Sequence, residues 1–131
     1  MKAHDLYAVM QGPPQWTDED ADGKAAFWMP QSFGGGALWV GRWHGRSPWE
    51  LHPDSDELLH VLEGEVEITV LTERGSERAT VRAGSVFVVL RGAWHRQEAR
   101  APVVQYGVTP GRTQHSSAED PRQTGTSAVG P

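Results

Sequence analysis

Short apolar or alternating runs, separated by glycine, proline and charged turns, fill the chain between residues 37 and 109. The run 65–70 alternates polar and apolar residues, as does a strand with one solvent-facing side, whereas the run 86–90 is apolar on both faces. Turn signals about 8 to 12 residues apart are typical of an all-β sandwich or barrel. We see no helical period here, and the pattern predicts strands at 37–44, 48–52, 57–63, 65–72, 77–82, 85–90, 93–98 and 103–109.

The two ends of the chain differ from this central stretch. Residues 1–36 combine one apolar run at 6–9, which we predict to be a strand, with acidic and turn-rich pieces that indicate loops. After residue 110 the chain has almost no apolar residue that could offset the entropy of ordering it. We therefore predict one domain, with an N-terminal arm at 1–36, a barrel at 37–110 and a flexible C-terminal tail at 111–131.

The doubly apolar run at 86–90 needs cover on both of its faces. The barrel core would cover one face. A partner subunit or the N-terminal arm would cover the other, and we expect a homodimer.

Composition limits the partners. The formal net charge of -5 would repel nucleic acid and anionic membranes, so a small molecule is the expected partner. The chain has no cysteine, so any metal site must use histidine and carboxylate ligands. No apolar run approaches the length of a membrane span or a secretory signal, and we expect a cytoplasmic protein.

Four side chains form a candidate metal site. Glu50 and His52 are two residues apart in a predicted strand and share one face; Glu57 opens the next strand after the turn at 53–56, and His95 comes from another hairpin. Two imidazoles with one or two carboxylates are ligands that Fe(II), Mn(II), Ni(II) or Zn(II) accept. Fe(II) is the metal we favour, because two histidines and one carboxylate form its common triad.

Two motifs in this region resemble those of the cupin superfamily. The segment 50–64, Glu-Leu-His-Pro-Asp-Ser-Asp-Glu-Leu-Leu-His-Val-Leu-Glu-Gly, is similar to the first cupin motif, H-x-H, three or four residues, E, six residues, G. Gly84, Gly92 and His95 fall at positions of the second motif, G-x5-P-x-G-x2-H-x3-N. The resemblance, which covers about residues 37 to 110, is to the small single-domain, cupin 2-like members.

The resemblance implies a double-stranded β-helix, or jelly-roll barrel, with a site in the barrel mouth and commonly a dimer. It also implies that His52, Glu57 and His95 are metal ligands. This chain departs from the motifs at three positions: Glu50 replaces the usual first histidine, Leu90 the proline and Ala99 the asparagine. Glu50 would then be a fourth ligand or a catalytic base. The alternative is a site without metal that binds a polar ligand or moves protons directly.

Other side chains are candidates for the substrate pocket. Gln97 shares the face of His95, and in the last strand either Tyr106 with Val104 or Gln105 with Val103 faces inward. Trp49 belongs to a tryptophan cluster, with Trp39 and Trp43, for which core or dimer packing is favoured over a substrate-stacking wall. Our candidate pocket residues are Gln97, Trp49 and Tyr106.

The remaining histidines and arginines are assigned weaker roles. Strand parity turns His60 to the outer face, and His115 falls in the predicted tail. Arg91, Arg96 and Arg100 could meet an anionic substrate, but solvated surface is the favoured interpretation.

Three functions are consistent with these features. The first is a metal-dependent, oxygenase-like enzyme acting on a small organic acid or aromatic metabolite. The second is a redox-neutral isomerase, lyase or polyketide-type cyclase that uses Glu50 and a histidine in acid–base steps. The third is a non-catalytic small-molecule sensor or binding barrel.

Overall fold

A computed structural model of the chain describes residues 1–20, 23–123 and 129–130, and β-strands make up most of this part. The elements in chain order are α1 (Leu6–Val9), β1 (Trp16–Asp20), β2 (Gly23–Phe33), β3 (Gly36–Arg46), β4 (Trp49–Leu51), β5 (Glu57–Glu63), β6 (Glu65–Thr72), β7 (Gly75–Arg82), β8 (Val86–Val89), β9 (His95–Thr109), β10 (Thr113–Ser116) and β11 (Val129–Gly130).

One long strand organises the sheet. β9 pairs antiparallel with β3, β4, β5 and β6, so that both halves of the barrel are joined along it. β7 extends the sheet from β6, β8 extends it from β5, and β1 and β2 extend it from β3. The sheet curls around a common interior, which confirms the predicted jelly-roll barrel.

The interior of the barrel is filled by alternate residues of these strands. Leu59 and Val61 of β5 and Val66 and Ile68 of β6 have no exposed surface. Burying an aliphatic side chain of this size stabilises the folded chain by about 1.5 to 3 kcal/mol. The full buried cluster is Trp43, Leu59, Val61, Val66, Ile68, Val81, Val89, Ala99 and Val103.

A second apolar cluster lies on the outer face of the sheet, beneath α1. Met10 at the end of the helix, Trp28, Val40 and Val104 are buried there. The segment 6–9, which we predicted to be a strand, is this helix. The Asp5 carboxylate accepts hydrogen bonds from the first backbone amides of α1, and such a cap favours a helical start over an extended one.

The predicted loops of the arm are also corrected. β1 and β2 form a hairpin that adds to β3, and the register of β2 against β3 shifts between Trp28 and Gln31. Pro30 lies in this shift, where its missing amide hydrogen costs no ladder bond. The sequence pattern did not predict this hairpin, because acidic residues and a proline interrupt its apolar positions.

Part of the predicted tail is ordered. β10 pairs with β4, placing His115 opposite Glu50, and the side chain of Thr113 is buried. The prediction of a flexible segment is therefore wrong for 113–116; residues 124–128 and 131 lie outside the described residues.

The doubly apolar run has one covered and one open face within this chain. Val89 is buried and Phe87 packs against the core, whereas Val86, Val88 and Leu90 are 57%, 48% and 66% exposed. The helical part of the described chain contains no segment with the length and hydropathy needed to span a bilayer.

Candidate metal centre

Three buried side chains converge at one end of the barrel interior. The Oε1 atom of Glu57 lies 3.1 Å from Nε2 of His52 and 3.4 Å from Nε2 of His95. All three ligand atoms lie within 4.8 Å of one another, and the residues are 2%, 4% and 0% exposed in chain order. The described structure thus brings together the three side chains that the cupin resemblance named as ligands.

Local strand geometry explains how each residue reaches this point. Glu57 begins β5 on the same inner face as Leu59, and His95 begins β9 on the same inner face as Gln97. His52 directly follows β4, which pairs with the start of β9. The centre therefore lies where three strand ends meet.

The two imidazoles are held through their Nδ1 atoms. Nδ1 of His95 lies 3.1 Å from the carbonyl oxygen of Ala93, and Nδ1 of His52 lies 3.0 Å from Oγ1 of Thr113. A carbonyl can only accept, so Nδ1 of His95 carries a hydrogen, and a neutral imidazole then has a lone pair on Nε2. Both rings turn Nε2 toward Glu57.

The converging atoms lack hydrogen-bond partners. Nε2 of His52, Oε1 of Glu57 and Nε2 of His95 are the buried side-chain polar atoms of the described residues that have no such partner. Lone pairs facing a carboxylate oxygen in a buried site repel one another unless a proton or a cation lies between them. These residues therefore fit a divalent metal ion.

The second oxygen of Glu57 is anchored by a short polar chain. The hydroxyl of Thr109 donates to Oε2 of Glu57, and Nε1 of Trp39 donates to Oγ1 of Thr109 at 2.8 Å. Gly107, opposite Trp39 across β3 and β9, leaves room for the indole, because a Cβ at that position would clash with the ring. Trp39 therefore fixes the orientation of Glu57 through Thr109, and it does so in addition to packing.

Sequence reasoning missed the two threonines that hold the centre. Thr109 and Thr113 flank a Pro-Gly turn that marks the end of the predicted barrel. For Thr109 a signal was available, since it shares the strand parity of His95 in β9. For Thr113 none was available, because it follows the turn in a polar segment.

The electrostatics of the centre favour a charged carboxylate. Burial raises the pKa of Glu57, but the attraction between its carboxylate and the imidazoles of His52 and His95 outweighs this effect and lowers the pKa to about 2. Burial lowers the pKa of His95, yet its interaction with Glu57 raises it overall. Without a cation, the carboxylate thus stabilises a proton on its imidazole neighbour, and a metal ion would take the place of that proton.

Glu50, predicted as a fourth ligand or a base, lies outside the cluster of ligand atoms. Its Oε2 atom is 3.1 Å from Nε2 of His115, which faces it across the pairing of β4 with β10. The hydrogen bond that the His115 imidazole donates to the Glu50 carboxylate raises the pKa of His115. His115 was assigned to the tail, so sequence reasoning missed this pair.

The predicted pocket residues separate onto two faces of the sheet. Gln97 lies inside, where its amide oxygen accepts from Nε2 of Gln105 at 2.6 Å, and Oε1 of Gln105 accepts from the Trp43 indole. Tyr106 lies outside with its ring against His60, so the prediction for Tyr106 is wrong, and Gln105 is the residue that faces inward. Strand parity from His95 explains this arrangement.

Trp49 is also misplaced by the sequence prediction. It is the neighbour of Glu50 in β4 and therefore points to the opposite face. The guanidinium of Arg96 lies 4.3 Å from its ring centroid, and its indole donates to the carbonyl oxygen of Glu119. Trp49 therefore covers the outside of the barrel and does not line the mouth.

A protein-family model described as a cupin domain matches residues 42–104, just under half of the chain. This match covers Glu50, His52, Glu57 and His95 together. Residues 42–104 of this chain are a cupin domain. The cupin resemblance deduced from the two motifs is confirmed.

A curated protein matches part of this chain. The chain is 35% identical over 75 residues to the "Uncharacterized protein YdbB" of Bacillus subtilis (strain 168), and the aligned stretch covers 57% of this chain and 59% of that protein. The chain therefore spans less than two thirds of the length of this relative.

Two solved structures match parts of this chain. Bacillus subtilis oxalate decarboxylase, an enzyme with Mn(II) centres, matches this cupin with a TM-score of 0.58 at 18% identity, covering 78% of this chain and 29% of that one. Oxalate oxidase in complex with the substrate analogue glycolate matches with a TM-score of 0.49 at 22% identity, covering 64% and 43%. At 18% identity the likeness to oxalate decarboxylase shows the fold alone.

Proposed function

We propose that this cupin is a metal-dependent, oxygenase-like enzyme that acts on a small organic acid or an aromatic metabolite, with His52, Glu57 and His95 as the metal ligands. The observation that carries the proposal is the convergence of three buried ligand atoms that lack hydrogen-bond partners. A purely structural cluster would leave these atoms at a cost of about 1 to 3 kcal/mol each. A bound cation satisfies all three at once.

Two histidines and one carboxylate are the common ligand set of Fe(II), and this favours Fe(II) over Mn(II), Ni(II) and Zn(II). Mn(II) is a second option, since oxalate decarboxylase, which shares the fold, has Mn(II) centres. When bound, such an ion supplies open coordination positions for substrate and dioxygen.

The protein itself contributes orientation and exclusion of water. Thr113 and Ala93 fix the two imidazole rings through Nδ1, and Thr109 fixes the carboxylate. The hydrogen-bonded amides of Gln97 and Gln105 lie on the inner face of β9 and would orient a polar substrate. The apolar barrel interior next to the centre limits the access of water.

One observation favours a redox-neutral reaction as the second candidate. Glu50 and His115 form a hydrogen-bonded, partly exposed pair close to the triad, and Glu50 also contributes to the raised pKa of His95. A carboxylate and an imidazole in contact can accept and return a proton in an isomerase, lyase or cyclase.

Metal analysis of protein purified without an affinity tag tests the proposal. We expect near-stoichiometric iron, or another divalent metal, in the wild type and its loss in His95→Ala. His60→Ala is the matched control, because His60 lies in β5 with its ring against Tyr106 on the outer face. Oxygen consumption with candidate acids then separates an oxygenase from a redox-neutral enzyme, which would retain activity without oxygen.

Two outcomes would contradict the proposal. Wild-type protein that contains no metal, even after incubation with Fe(II), Mn(II), Ni(II) and Zn(II), would remove the metal centre and favour the non-catalytic binding barrel. Retention of stoichiometric metal in His95→Ala would remove the triad.

We also propose that the protein forms a homodimer through the exposed side chains of Val86, Val88 and Leu90. These residues form an apolar surface beside the free edge of β8, which pairs only with β5 among the described strands. A small molecule remains the proposed ligand of each barrel.

A further inference from the structure

An arginine-lined depression lies on the outer face of the sheet, on the other side of β9 from the metal centre. Its volume is about 170 Å³. We name it the arginine groove, and the charged residues lining it are Arg46, Arg78, Arg96, Arg100, Glu67 and Glu98. A second depression of about 540 Å³, bordered by His44, adjoins it and shares Arg46 and Arg100.

Strand register brings the arginines together from separate strands. Thr69 of β6 is paired with Arg78 of β7 on one side and with Arg96 of β9 on the other. In the next row, Glu98 of β9 is paired with Arg46 of β3. Side chains directly opposite in antiparallel strands lie about 5 Å apart, so the groove is built into the sheet itself.

The cations in the groove outnumber the anions. Four guanidinium groups face two carboxylates, in a chain whose formal net charge is -5. The existing pairs are loose, since Arg78 to Glu67 and Arg100 to Glu98 are both 4.0 Å, beyond hydrogen-bond reach. Within the described residues, neither Arg46 nor Arg96 forms an ion pair of this kind with a carboxylate.

Arg96 is held in place at the floor of the groove. Its guanidinium stacks on Trp49 at 4.3 Å from the ring centroid, and Trp49 is itself only 4% exposed. Burial lowers the pKa of Arg96, and the charges of Arg46 and Arg78 lower it further, while Glu98 raises it. A preorganised guanidinium among like charges loses little entropy when an anion binds.

We propose that the arginine groove is a binding site for the phosphate group of a small molecule. Guanidinium groups bind tetrahedral oxyanions through paired, charge-assisted hydrogen bonds, and a phosphate dianion matches the excess of two positive charges. The site is separate from the metal centre, because Arg96 and Glu98 alternate along β9 with His95 and Gln97 and point to the opposite face.

Calorimetric titration with inorganic phosphate and pyrophosphate, at constant ionic strength, tests this site. We expect wild-type protein to bind pyrophosphate, and Arg46→Gln and Arg78→Gln to weaken binding by about tenfold or more each. Arg74→Gln is the matched control, because Arg74 is an exposed arginine in the turn between β6 and β7 and does not line the groove. Thermal unfolding checks that each variant is folded.

Two further titrations distinguish the arginine groove from anion binding elsewhere on the protein. His95→Ala should bind pyrophosphate as the wild type does; loss of binding in that variant would place the anion at the metal centre and overturn the proposal. Succinate and citrate should bind at least about tenfold more weakly than pyrophosphate, and equal affinity would overturn the phosphate assignment. Absence of binding to wild type, or equal affinity in Arg46→Gln and Arg78→Gln, would overturn the site.

Discussion

Glu57 has two oxygens in different environments. Oε1 faces the imidazoles of His52 and His95 without a hydrogen bond, while Oε2 accepts from Thr109. A carboxylate held by one oxygen presents the other in a fixed direction, and this is the usual function of outer-shell partners around a metal. The Trp39–Thr109 chain is therefore as much a part of the centre as the ligands.

At this scale we predict that Thr109→Val weakens metal binding while preserving the fold. Valine has nearly the shape of threonine but cannot donate to Glu57 or accept from Trp39. We expect the metal dissociation constant to rise by about 10- to 100-fold, as is typical when an outer-shell partner is lost. Competition with a chromogenic chelator measures it.

A conservative variant at the same position gives the control. Thr109→Ser retains the hydroxyl and should restore most of the affinity that Thr109→Val loses. If the valine and serine variants bind metal equally well, the hydroxyl does not orient Glu57 and the prediction fails.

Strands and helices differ in how much of their placement the sequence contains. In β5 and β6 the alternation of residues predicted both the bounds and the buried face, because successive residues of each strand point alternately into the barrel and away from it. α1, β1, β2 and β10 were not predicted, since a capping contact, the pairing with β3 or the pairing with β4 determines them. Local pattern contains none of these long-range contacts.

The same limit explains the prediction of the site. His52, Glu57 and His95 could be grouped from motif spacing and strand parity, and the structure places them together. The environment of Glu50 could not be deduced, because its partner His115 belongs to the unpredicted β10. The error at Tyr106 arose because the sequence was consistent with two registers of the last strand, one with Tyr106 and one with Gln105 facing inward.

β10 is attached to the barrel by a bidentate ion pair, and this leads to a prediction for the segment. The Asp54 carboxylate accepts from the backbone amide of Arg112 at 2.9 Å and from two atoms of its guanidinium. We expect Asp54→Ala to increase amide hydrogen exchange of 113–116 while β5 and β6 stay protected. Mass spectrometry of peptic fragments measures it.

Asp120→Ala is the matched control for this exchange experiment. Asp120 also binds an arginine, Arg122, but none of its hydrogen bonds reaches β10. Unchanged exchange in β10 of Asp54→Ala, or an equal increase in both variants, would show that the ion pair does not hold the strand.

α1 is joined to β5 by a hydrogen bond that depends on pH. The hydroxyl of Tyr7 donates to Oε2 of Glu63 at 2.6 Å. This hydrogen bond, with burial and the charge of Glu63, raises the pKa of Tyr7 above its ordinary value of 10.0, against a small opposing effect of Arg42. The protonated phenol therefore stabilises the folded state at neutral pH, and this stabilisation is lost as pH rises through the raised pKa.

Tyr7→Phe should remove this dependence on pH. We expect the free energy of unfolding of the wild type to exceed that of the variant by a constant amount below the ordinary tyrosine pKa of 10.0 and to converge with it above that pKa. Urea unfolding followed between about pH 8 and 11 measures the difference. A difference that stays constant across the whole range would contradict the assignment of the hydrogen bond.

For the whole molecule, β9 carries the candidate metal centre and the proposed phosphate site on opposite faces of one strand. Its inner residues belong to the metal centre and its outer residues belong to the arginine groove. One face of the sheet lines the barrel interior and the other face is open to solvent, so the two faces can carry independent sites. An apolar surface is open at β8, the strand that pairs with β5.

We predict that this surface holds two copies of the protein together. Val88→Lys places a charge in the proposed apolar contact, and in a two-fold symmetric dimer the lysine of one subunit would meet the lysine of the other. The variant should therefore convert the dimer to a monomer. Val88 is 48% exposed in the single chain, so the variant should fold normally. Light scattering after size-exclusion chromatography measures the mass. Ser76→Lys, an exposed position of β7, is the control that should remain dimeric, and a wild type that is monomeric at all concentrations would refute the homodimer.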